Sequence, residues 1–329
     1  MKKGIALLLV LLSLLSILAG CGGDSSPSAA NPADAPSSSG NDSDATAGGS
    51  PSSDEPVYLA WAGPMTGDSQ QYGDTAIEAI KIAVEDINAN GGVLNGRELV
   101  VDYYDDKNDP TEAVNVANMI IDTGKYTAVI GHFGSATCMV VAPIYQEAGL
   151  TMYSATCSHA DMTSVGEYIF RNLLTQATEA TAYADFIYTD MGYDTVGVIY
   201  LNDDWGKNVY DYFAKRYEER GGTIVVAEKI SSGQTQDLSP MLAKIKDANP
   251  DCFFSIAYYN DTAQMLIQSD ALDLNIQKVV STAVYKQELI DIAGDLADGV
   301  LLLNIFPTGC ELPAFTHVMD AYQENTGKM

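Results

Sequence analysis

Positive charge is scarce in this chain of 329 residues, which has 17 lysines and arginines against 44 aspartates and glutamates. The formal net charge of -27 argues against nucleic acid as a partner, because a nucleic-acid binder needs a basic face to neutralise phosphates. The rest of the composition, 47% hydrophobic with 28 glycines, is that of an ordinary globular protein. The length is sufficient for two domains, and the acidity is typical of a protein that stays soluble outside a cell.

Cysteine is also rare, with five residues, and no two of them are separated by two positions. This spacing excludes a thioredoxin-type redox site and a zinc ribbon. Beyond the N-terminal region, Cys138, Cys157, Cys252 and Cys310 remain. In an oxidising compartment four cysteines allow two disulfides, one or none, and the sequence does not choose among them.

The first 20 residues have the composition of a sorting signal. A charged "MKK" precedes the apolar run "GIALLLVLLSLLSILAG", and Cys21 follows Leu18-Ala19-Gly20 directly. This resembles the bacterial lipoprotein signal, which implies cleavage before Cys21 and acylation of its thiol. The alternative is a single transmembrane anchor, but the apolar run is about 17 residues where spanning needs ~20.

A segment without large apolar residues follows the predicted signal. Residues 22–55 contain no Val, Leu, Ile, Met or aromatic residue. Such a segment cannot bury enough apolar surface to offset the entropy of ordering. We therefore predict a signal peptide over 1–20 and a disordered tether over 21–56 that begins at the lipidated Cys21.

From residue 57 onward, short β-branched runs alternate with amphipathic runs, the pattern of parallel sheets covered by helices on both faces. The fold class predicted is α/β, with two doubly wound parallel-sheet lobes joined by a hinge. Lobe 1 is predicted over 57–174 and lobe 2 over 175–304, with 305–329 returning to lobe 1. The predicted strands cover 57–63, 98–104, 127–133, 150–155, 194–201, 223–230, 252–257, 278–284 and 300–306.

Two helix starts carry capping signals. Thr75 and Glu78 have the spacing of a capping box, and Asp109 before Pro110 predicts an N-cap followed by proline at the first helical position. Asp105 and Asp106 precede this start, and the three aspartates lack the spacing of a 12-residue calcium loop. We therefore interpret them as loop and capping carboxylates.

The stretch "GHFGSATC", residues 131–138, follows the apolar run "AVI" and so lies at a strand end. In α/β sheets ligands bind beyond the carboxyl ends of the strands, which places this stretch at the cleft between the lobes. Ser135 lacks the G-x-S-x-G pattern of a nucleophile elbow, and a catalytic serine also needs a histidine and an orienting acid. The sequence therefore predicts that the protein is not an enzyme.

Metal binding is the other chemical alternative for this region. His132, Cys138, Cys157 and His159 come from adjacent strand-end loops, and mixed His and Cys ligands suit zinc. Their spacing matches no known zinc motif, however, and free cysteines are often buried as small hydrophobic residues. A Cys138–Cys157 disulfide is as consistent with the sequence as a metal site.

The chain from residue 57 onward resembles the periplasmic branched-chain amino-acid binding proteins, the Leu/Ile/Val-type receptors of ABC importers. The motifs "GPMTG" with "QYG", "INANGGVLNG", "YDDKNDP" and "VIGHFGS" stand in the family's order and spacing, and "FRN" and "IAGDLADGVLL" match further on. The resemblance implies the type I periplasmic-binding-protein fold and closure about hinges near 171–175 and 304–307. It also implies no enzymatic activity and no cofactor.

The resemblance implies roles for individual residues. The ligand carboxylate would bind Ser135 and the N–H groups at Ala136, and Ser158 would supply a second hydroxyl. The Thr156 carbonyl would accept a hydrogen bond from the ligand ammonium. The side chain of the ligand would contact Phe133. Three further aromatic residues match positions that line the family's cleft, namely Tyr72, Trp205 and Tyr258.

The chain departs from the family pattern at several positions. Thr282 stands where the family often has an acid that pairs with the ligand ammonium, so either Asp261 or another acid replaces it or the ligand is not a plain α-amino acid. Neither Asn108 nor Gly134 is a cysteine, although the family sometimes bridges these loops. The chain also ends at Met329, earlier than family members do, which suggests a truncated C-terminal part.

These observations predict a lipid-anchored receptor on the outer face of the bacterial cytoplasmic membrane, which binds an amino acid and delivers it to an ABC permease. Alternatives are the same receptor fold binding a carboxylate or amide that is not an amino acid, a ligand sensor, and a metal-binding protein.

Overall fold

The computed structural model describes residues 55–233, 237–305 and 309–328. The predicted signal, the lipidated Cys21 and almost all of the predicted tether lie outside these described residues. Within the described ranges, none of the helices combines the length and the apolar character needed to cross a membrane.

Lobe 1 is built on a sheet of five parallel strands in the order β2-β1-β3-β4-β5. Helices follow the first three strands and pack their apolar faces on the sheet. The elements are β1 (Val57–Gly63), α1 (Gln70–Ala89), β2 (Leu99–Asp105), α2 (Pro110–Thr123), β3 (Ala128–Gly131), α3 (Ser135–Ala148), β4 (Thr151–Ser154) and β5 (Ile169–Arg171).

Lobe 2 repeats this plan with a second sheet of five parallel strands in the order β10-β9-β8-β6-β7. Its elements are α4 (Gln176–Asp185), β6 (Thr195–Leu201), α5 (Asp204–Arg220), β7 (Thr223–Ile230), α6 (Ser239–Ala248), β8 (Cys252–Ile256), α7 (Tyr259–Ala271), β9 (Gln277–Val280), α8 (Gln287–Ala293) and β10 (Leu301–Leu302). The last helix, α9 (Pro313–Thr326), packs on α1 of lobe 1.

The two sheets share one strand order when each is counted from its own first strand. In both, the first strand lies next to one edge, the second strand forms that edge, and the chain then crosses back to build the other side. Each lobe has its own buried core, centred on β1, β3, α2 and α3 in lobe 1 and on β6, β8 and α5 in lobe 2. The predicted fold class of two doubly wound parallel-sheet lobes is confirmed.

One of the two capping predictions is right and the other is wrong. Asp109 caps α2, since its carboxylate accepts hydrogen bonds from the backbone N–H groups of Thr111 and Glu112. The capping box at Thr75 does not exist, because α1 already begins at Gln70 and Thr75 lies inside it. The Thr75 hydroxyl instead donates to the carbonyl of Gln71, one turn earlier.

The sequence analysis missed two elements between the lobes, β5 and α4. Alanine and threonine make up most of α4, so it lacks the spaced large apolar residues that mark an amphipathic helix. It continues directly as a π-helical turn, Phe186–Asp190. Tyr183 on α4 is fully buried in the lobe 2 core, and Tyr188 in the π-turn packs edge-on against Tyr217.

The last helix, α9, contacts both lobes. His317 and Asn325 bind Asp86 and Glu78 on α1 of lobe 1, at 2.7 and 2.8 Å. Lys328, just beyond the helix, forms an ion pair with Glu288 of α8 in lobe 2 at 2.8 Å. The second predicted hinge, near 304–307, lies partly outside the described residues.

Candidate ligand-binding site

The buried start of α3, at the carboxyl end of β3, is the candidate position for an anionic group. Gly134 is the N-cap residue and Ser135 opens the helix, with its side chain only 3% exposed. The first N–H groups of a helix have no partner within the helix, and the helix dipole places positive charge there. Gly134 is required for close approach, because a Cβ atom would lie 2.3 Å from the Asn108 amide oxygen. Ser135 and Ala136 therefore present the donors that an anionic group needs.

Gln176, at the first position of α4, reaches this helix start from the other side. Its Nε2 atom donates to the Ser135 hydroxyl at 3.1 Å, and its backbone N–H donates to the carbonyl of Ser158 at 2.8 Å. The sequence analysis did not single out Gln176. The one local signal is Thr175 before it, which caps α4 by accepting a hydrogen bond from the Thr178 N–H.

The loop after β4 closes over the loop after β3. The Thr156 hydroxyl donates to the Phe133 carbonyl at 2.9 Å, and the Ser154 hydroxyl donates to the His132 carbonyl at the same distance. Ser158 is buried at the end of this loop. The structure therefore brings the predicted residues Phe133, Thr156 and Ser158 around the start of α3.

Four aromatic side chains form a stack that crosses the cleft. Tyr72 and Phe133 of lobe 1 stack at 4.8 Å between ring centroids, and Tyr258 of lobe 2 lies 5.6 and 6.2 Å from these rings. Trp205, at the start of α5, stacks almost parallel on Tyr258 at 5.2 Å. The four aromatic residues predicted to line the cleft thus form one connected series of ring contacts, in which Trp205 contacts Tyr258.

Polar contacts also join the lobes around Tyr72. Its hydroxyl donates to the Ala283 carbonyl at 2.8 Å, and Lys286 donates to Thr75 at 2.9 Å while its ammonium lies 4.7 Å from the Tyr72 ring centroid. Burial raises the pKa of Tyr72 well above its ordinary value and lowers the pKa of Lys286. Both groups are therefore partly withdrawn from water at the line where the lobes meet.

The predicted site residue Thr282 binds an acid that was not identified from the sequence. Its hydroxyl donates to Glu179 Oε1 at 2.5 Å, across 103 positions of the chain. Burial raises the pKa of Glu179, and hydrogen bonds from the Thr282 hydroxyl and backbone N–H oppose that rise. The acid facing position 282 therefore comes from α4.

Asp261, the acid named as a replacement in the sequence analysis, is also buried. Its carboxylate accepts from the Ser232 hydroxyl at 2.9 Å and from the Gly233 N–H at 3.3 Å. Burial raises its pKa, and the nearby Asp68 and Asp203 add to the rise. Asp261 is thus held by the loop after β7.

A cavity of about 180 Å³ opens in lobe 1 beside the start of α3. Its walls are mainly apolar and come from β1, α1 and the loops after β3 and β4. One wall is formed by Tyr72 and Phe133 of the aromatic stack. The other lining residues are Trp61, Ala62, Pro64, Gly73, Ala76, Ala79, Ile80, Ile130, Gly131, His132, Ala155 and Thr156.

The His132 and Cys138 side chains near Ser135 have structural partners. His132 is fully buried, with Nδ1 2.6 Å from Asp106 and Nε2 3.1 Å from the Tyr145 hydroxyl. Cys138 and Cys157 are free thiols, and the Cys138 thiol donates to the His132 carbonyl at 3.2 Å. Within the described part of the chain, no three His, Cys, Asp or Glu residues are grouped to hold a metal ion. His132 thus joins the loops through Asp106, and neither ring nitrogen is left for a metal.

The fold and the cleft define a class: two-lobed α/β proteins with a site between the lobes. Residues 56–329 match the model of the Periplasmic binding protein family, and the chain belongs to this family. It is 30% identical over 247 residues to the leucine-specific-binding protein of Salmonella typhimurium. That match covers 75% of this chain and 66% of the relative, slightly under two thirds of its length.

Solved structures show the same fold. A leucine-binding protein, LivK, from Thermotoga maritima is 27% identical, with a TM-score of 0.77 over 83% of this chain and 77% of that one. A solute-binding protein of an ABC transporter from Rhodopseudomonas palustris was solved in complex with 3,4-dihydroxybenzoic acid. It is 22% identical, with a TM-score of 0.75 over 83% of this chain and 74% of that one, and this likeness concerns the fold alone.

Proposed function

We propose that this protein is the extracytoplasmic solute receptor of an ABC importer and that it binds a branched-chain or related amino acid in the cleft between its lobes. One observation carries the proposal. A buried helix start suited to an anion, at Ser135, adjoins a mainly apolar cavity at the same strand ends. A small molecule with a carboxylate and an apolar side chain has the two features that these neighbouring positions require.

The carboxylate of the ligand binds the Ser135 hydroxyl and the N–H groups of Ser135 and Ala136. These donors are fixed by the helix before the ligand arrives, so binding does not require them to be ordered. Gln176 already holds the Ser135 hydroxyl at 3.1 Å and thereby orients it.

The apolar part of the ligand enters the lobe 1 cavity beside Tyr72 and Phe133. A cavity of roughly 150 Å³ accommodates benzene, so one of about 180 Å³ is large enough for a branched aliphatic side chain. Closure of the lobes brings Tyr258 and Trp205 over the ligand, and the movement occurs about the connection 171–175.

Lipidation of Cys21 anchors the receptor to the outer face of the cytoplasmic membrane, and the tether lets the lobes reach the permease. The sequence around Cys21 supports this part of the proposal. Replacing Cys21 with serine should move the protein from the membrane fraction to the soluble or uncleaved fraction and abolish labelling by a fatty-acid probe. Unchanged labelling would contradict the anchor without affecting the ligand assignment.

A second candidate is a receptor for a carboxylate without an ammonium group. The residue that favours it is Thr282, which stands where the resembling family often has an acid. The same fold in Rhodopseudomonas palustris was solved with a benzoic acid derivative, so the fold accommodates such ligands.

Titration calorimetry on the full chain in mild detergent distinguishes these candidates. The panel contains the L-amino acids and aliphatic and aromatic carboxylic acids, and we expect binding of branched-chain amino acids. Ser135→Ala should weaken binding by about tenfold through loss of a hydrogen bond to a charged group, while Ser164→Ala, at an exposed serine, should not. Binding of carboxylic acids alone would support the second candidate, and no binding to any member would overturn both.

A further inference from the structure

One buried acceptor in the cleft lacks a donor. Among the described residues, the Gln176 Oε1 atom has no hydrogen-bond partner, although Gln176 is completely buried. The other end of the same amide is engaged, because Nε2 donates to Ser135. The amide therefore cannot turn to satisfy Oε1 without leaving Nε2 unpaired. An unsatisfied buried acceptor is unfavourable, so this atom is suited to receive an N–H or O–H donor.

A carboxylate stands one helical turn further along α4. Gln176 and Glu179 are three positions apart, so their side chains lie on the same helix face. Within the described ranges no lysine, arginine or histidine forms an ion pair with Glu179, and its recorded contacts are the hydroxyl and backbone N–H of Thr282. Neither contact supplies a positive charge, and a half-buried carboxylate without a cation is unfavourable.

These acceptors neighbour the candidate anion position at Ser135, but they suit a group of opposite charge. Ser135 and the start of α3 supply donors, whereas Gln176 Oε1 and the Glu179 carboxylate supply acceptors. Gln176 Nε2 lies 3.1 Å from the Ser135 hydroxyl, and Glu179 lies one turn along the same helix face as Gln176, so the donors and the acceptors neighbour each other. A molecule with neighbouring negative and positive groups satisfies both.

We infer that Glu179 and Gln176 receive the ammonium group of the ligand, with Glu179 supplying its counter-charge from α4 and Thr282 orienting the Glu179 carboxylate. This assignment rests on the proposed function, since it presumes a zwitterionic ligand whose carboxylate binds at Ser135. It names the source of specificity for an amino acid over the corresponding carboxylic acid. Glu179 of α4 thus supplies the carboxylate that the family often has at position 282.

The other two buried acids of lobe 2 are committed elsewhere. Asp261 accepts hydrogen bonds from Ser232 and Gly233 of the loop after β7. Asp203 caps α5 by accepting from the Gly206 N–H at 2.7 Å. Neither contacts Ser135, Gln176 or Thr282, whereas Glu179 binds Thr282 and shares a helix face with Gln176, which contacts Ser135.

The test compares each amino acid with its counterpart that lacks the ammonium group. Calorimetry on the full chain in detergent uses L-leucine with 4-methylpentanoate, L-isoleucine with 3-methylpentanoate and L-valine with 3-methylbutanoate. The wild type should prefer the amino acid of a pair. Glu179→Gln should weaken amino-acid binding by at least about thirtyfold and leave the affinity for the des-amino acid unchanged or higher. Gln176→Leu should lower the same preference by a smaller factor.

Controls separate a role in charge recognition from a structural role. Glu147→Gln removes an exposed carboxylate of lobe 1 and should leave the preference unchanged. An equal loss of both ligands in Glu179→Gln, or a lowered melting temperature, would show a structural role and overturn the inference. Loss of the preference in Asp261→Asn instead would assign the counter-charge to Asp261. A wild type that binds only des-amino acids would overturn the inference and keep the receptor. A wild type that binds no member would overturn the proposed function and this inference with it.

Discussion

The Tyr72 hydroxyl of lobe 1 donates a hydrogen bond to the carbonyl oxygen of Ala283 in lobe 2, at a distance of 2.8 Å. The two residues are 211 positions apart in the chain, and the same hydroxyl lies 3.4 Å from the backbone N–H of Tyr259. Tyr72 also forms part of the aromatic stack and one wall of the cavity. A single side chain of α1 thus contacts the partner lobe and lines the proposed ligand pocket.

Tyr72→Phe should therefore weaken ligand binding by favouring the open arrangement of the lobes. The variant keeps the stacked ring and loses the hydrogen bond to Ala283, which contributes about 0.5–1.5 kcal/mol, equivalent to a twofold to tenfold loss of affinity. Titration calorimetry gives the affinity, and small-angle X-ray scattering should show a larger radius of gyration. Tyr58→Phe, on β1 beneath Lys125, is the matched control. Unchanged affinity and size in Tyr72→Phe would contradict this role.

Glu179→Gln should stabilise the protein without ligand while weakening its binding. Burial raises the pKa of this carboxyl, so the folded state binds the proton more tightly than the unfolded state. Stability from this group is therefore present at low pH and is lost as the pH rises from the unfolded pKa, about 4.3, through the raised folded pKa. At pH 7.5 the variant should have a higher melting temperature than the wild type, by about 2–4 °C for each kcal/mol added to the free energy of unfolding.

Differential scanning calorimetry between pH 4.5 and 7.5 checks this sign. The difference in melting temperature should grow with pH, since Glu179 becomes ionised and buried in the wild type only. Comparing the variant with the wild type removes the contribution of Asp203 and Asp261, whose pKa values burial also raises. A difference that shrinks as the pH rises would mean that the ionised Glu179 is stabilising.

Local patterns in the sequence predicted the two-lobe fold, but they did not predict side-chain contacts between residues far apart in the chain. Asp109 caps α2 through contacts with residues two and three positions away, so its role could be predicted from the local sequence. The Glu179–Thr282 contact joins residues 103 positions apart on elements whose relative placement depends on how α4 packs. Since α4 has few large apolar residues, neither the helix nor its acid was predicted. The departure at Thr282 indicated only that either another acid replaces it or the ligand is not a plain α-amino acid.

Three of the four described cysteines should resist alkylation in the folded protein. Cys138, Cys157 and Cys252 are completely buried, whereas Cys310 is partly exposed. Burial raises the pKa of the Cys138 thiol and raises that of Cys252 to about 12, so these two also lack the reactive thiolate at pH 8.

Peptide mapping by mass spectrometry after iodoacetamide treatment measures this difference. We expect rapid modification of Cys310 and modification of the other three only after unfolding in guanidinium chloride. Rapid labelling of Cys157, whose pKa a hydrogen bond from the Cys138 thiol lowers, would show that burial does not protect it. A disulfide-linked peptide containing Cys138 and Cys157 would contradict the free thiols.

Filling the lobe 1 cavity should change which ligands bind. Ala76 lies on the cavity wall contributed by α1, so Ala76→Leu adds about three carbon atoms to a space of about 180 Å³. The new leucine side chain then occupies the space that a large apolar side chain of a ligand would need, while the candidate anion position at Ser135 is unchanged. We expect leucine to lose affinity by at least about tenfold, since each buried methylene is worth about 0.8 kcal/mol, whereas alanine should bind as before or better. Ala89→Leu, at the exposed end of the same helix, is the control. Equal losses for leucine and alanine in Ala76→Leu would place the apolar part of the ligand outside this cavity.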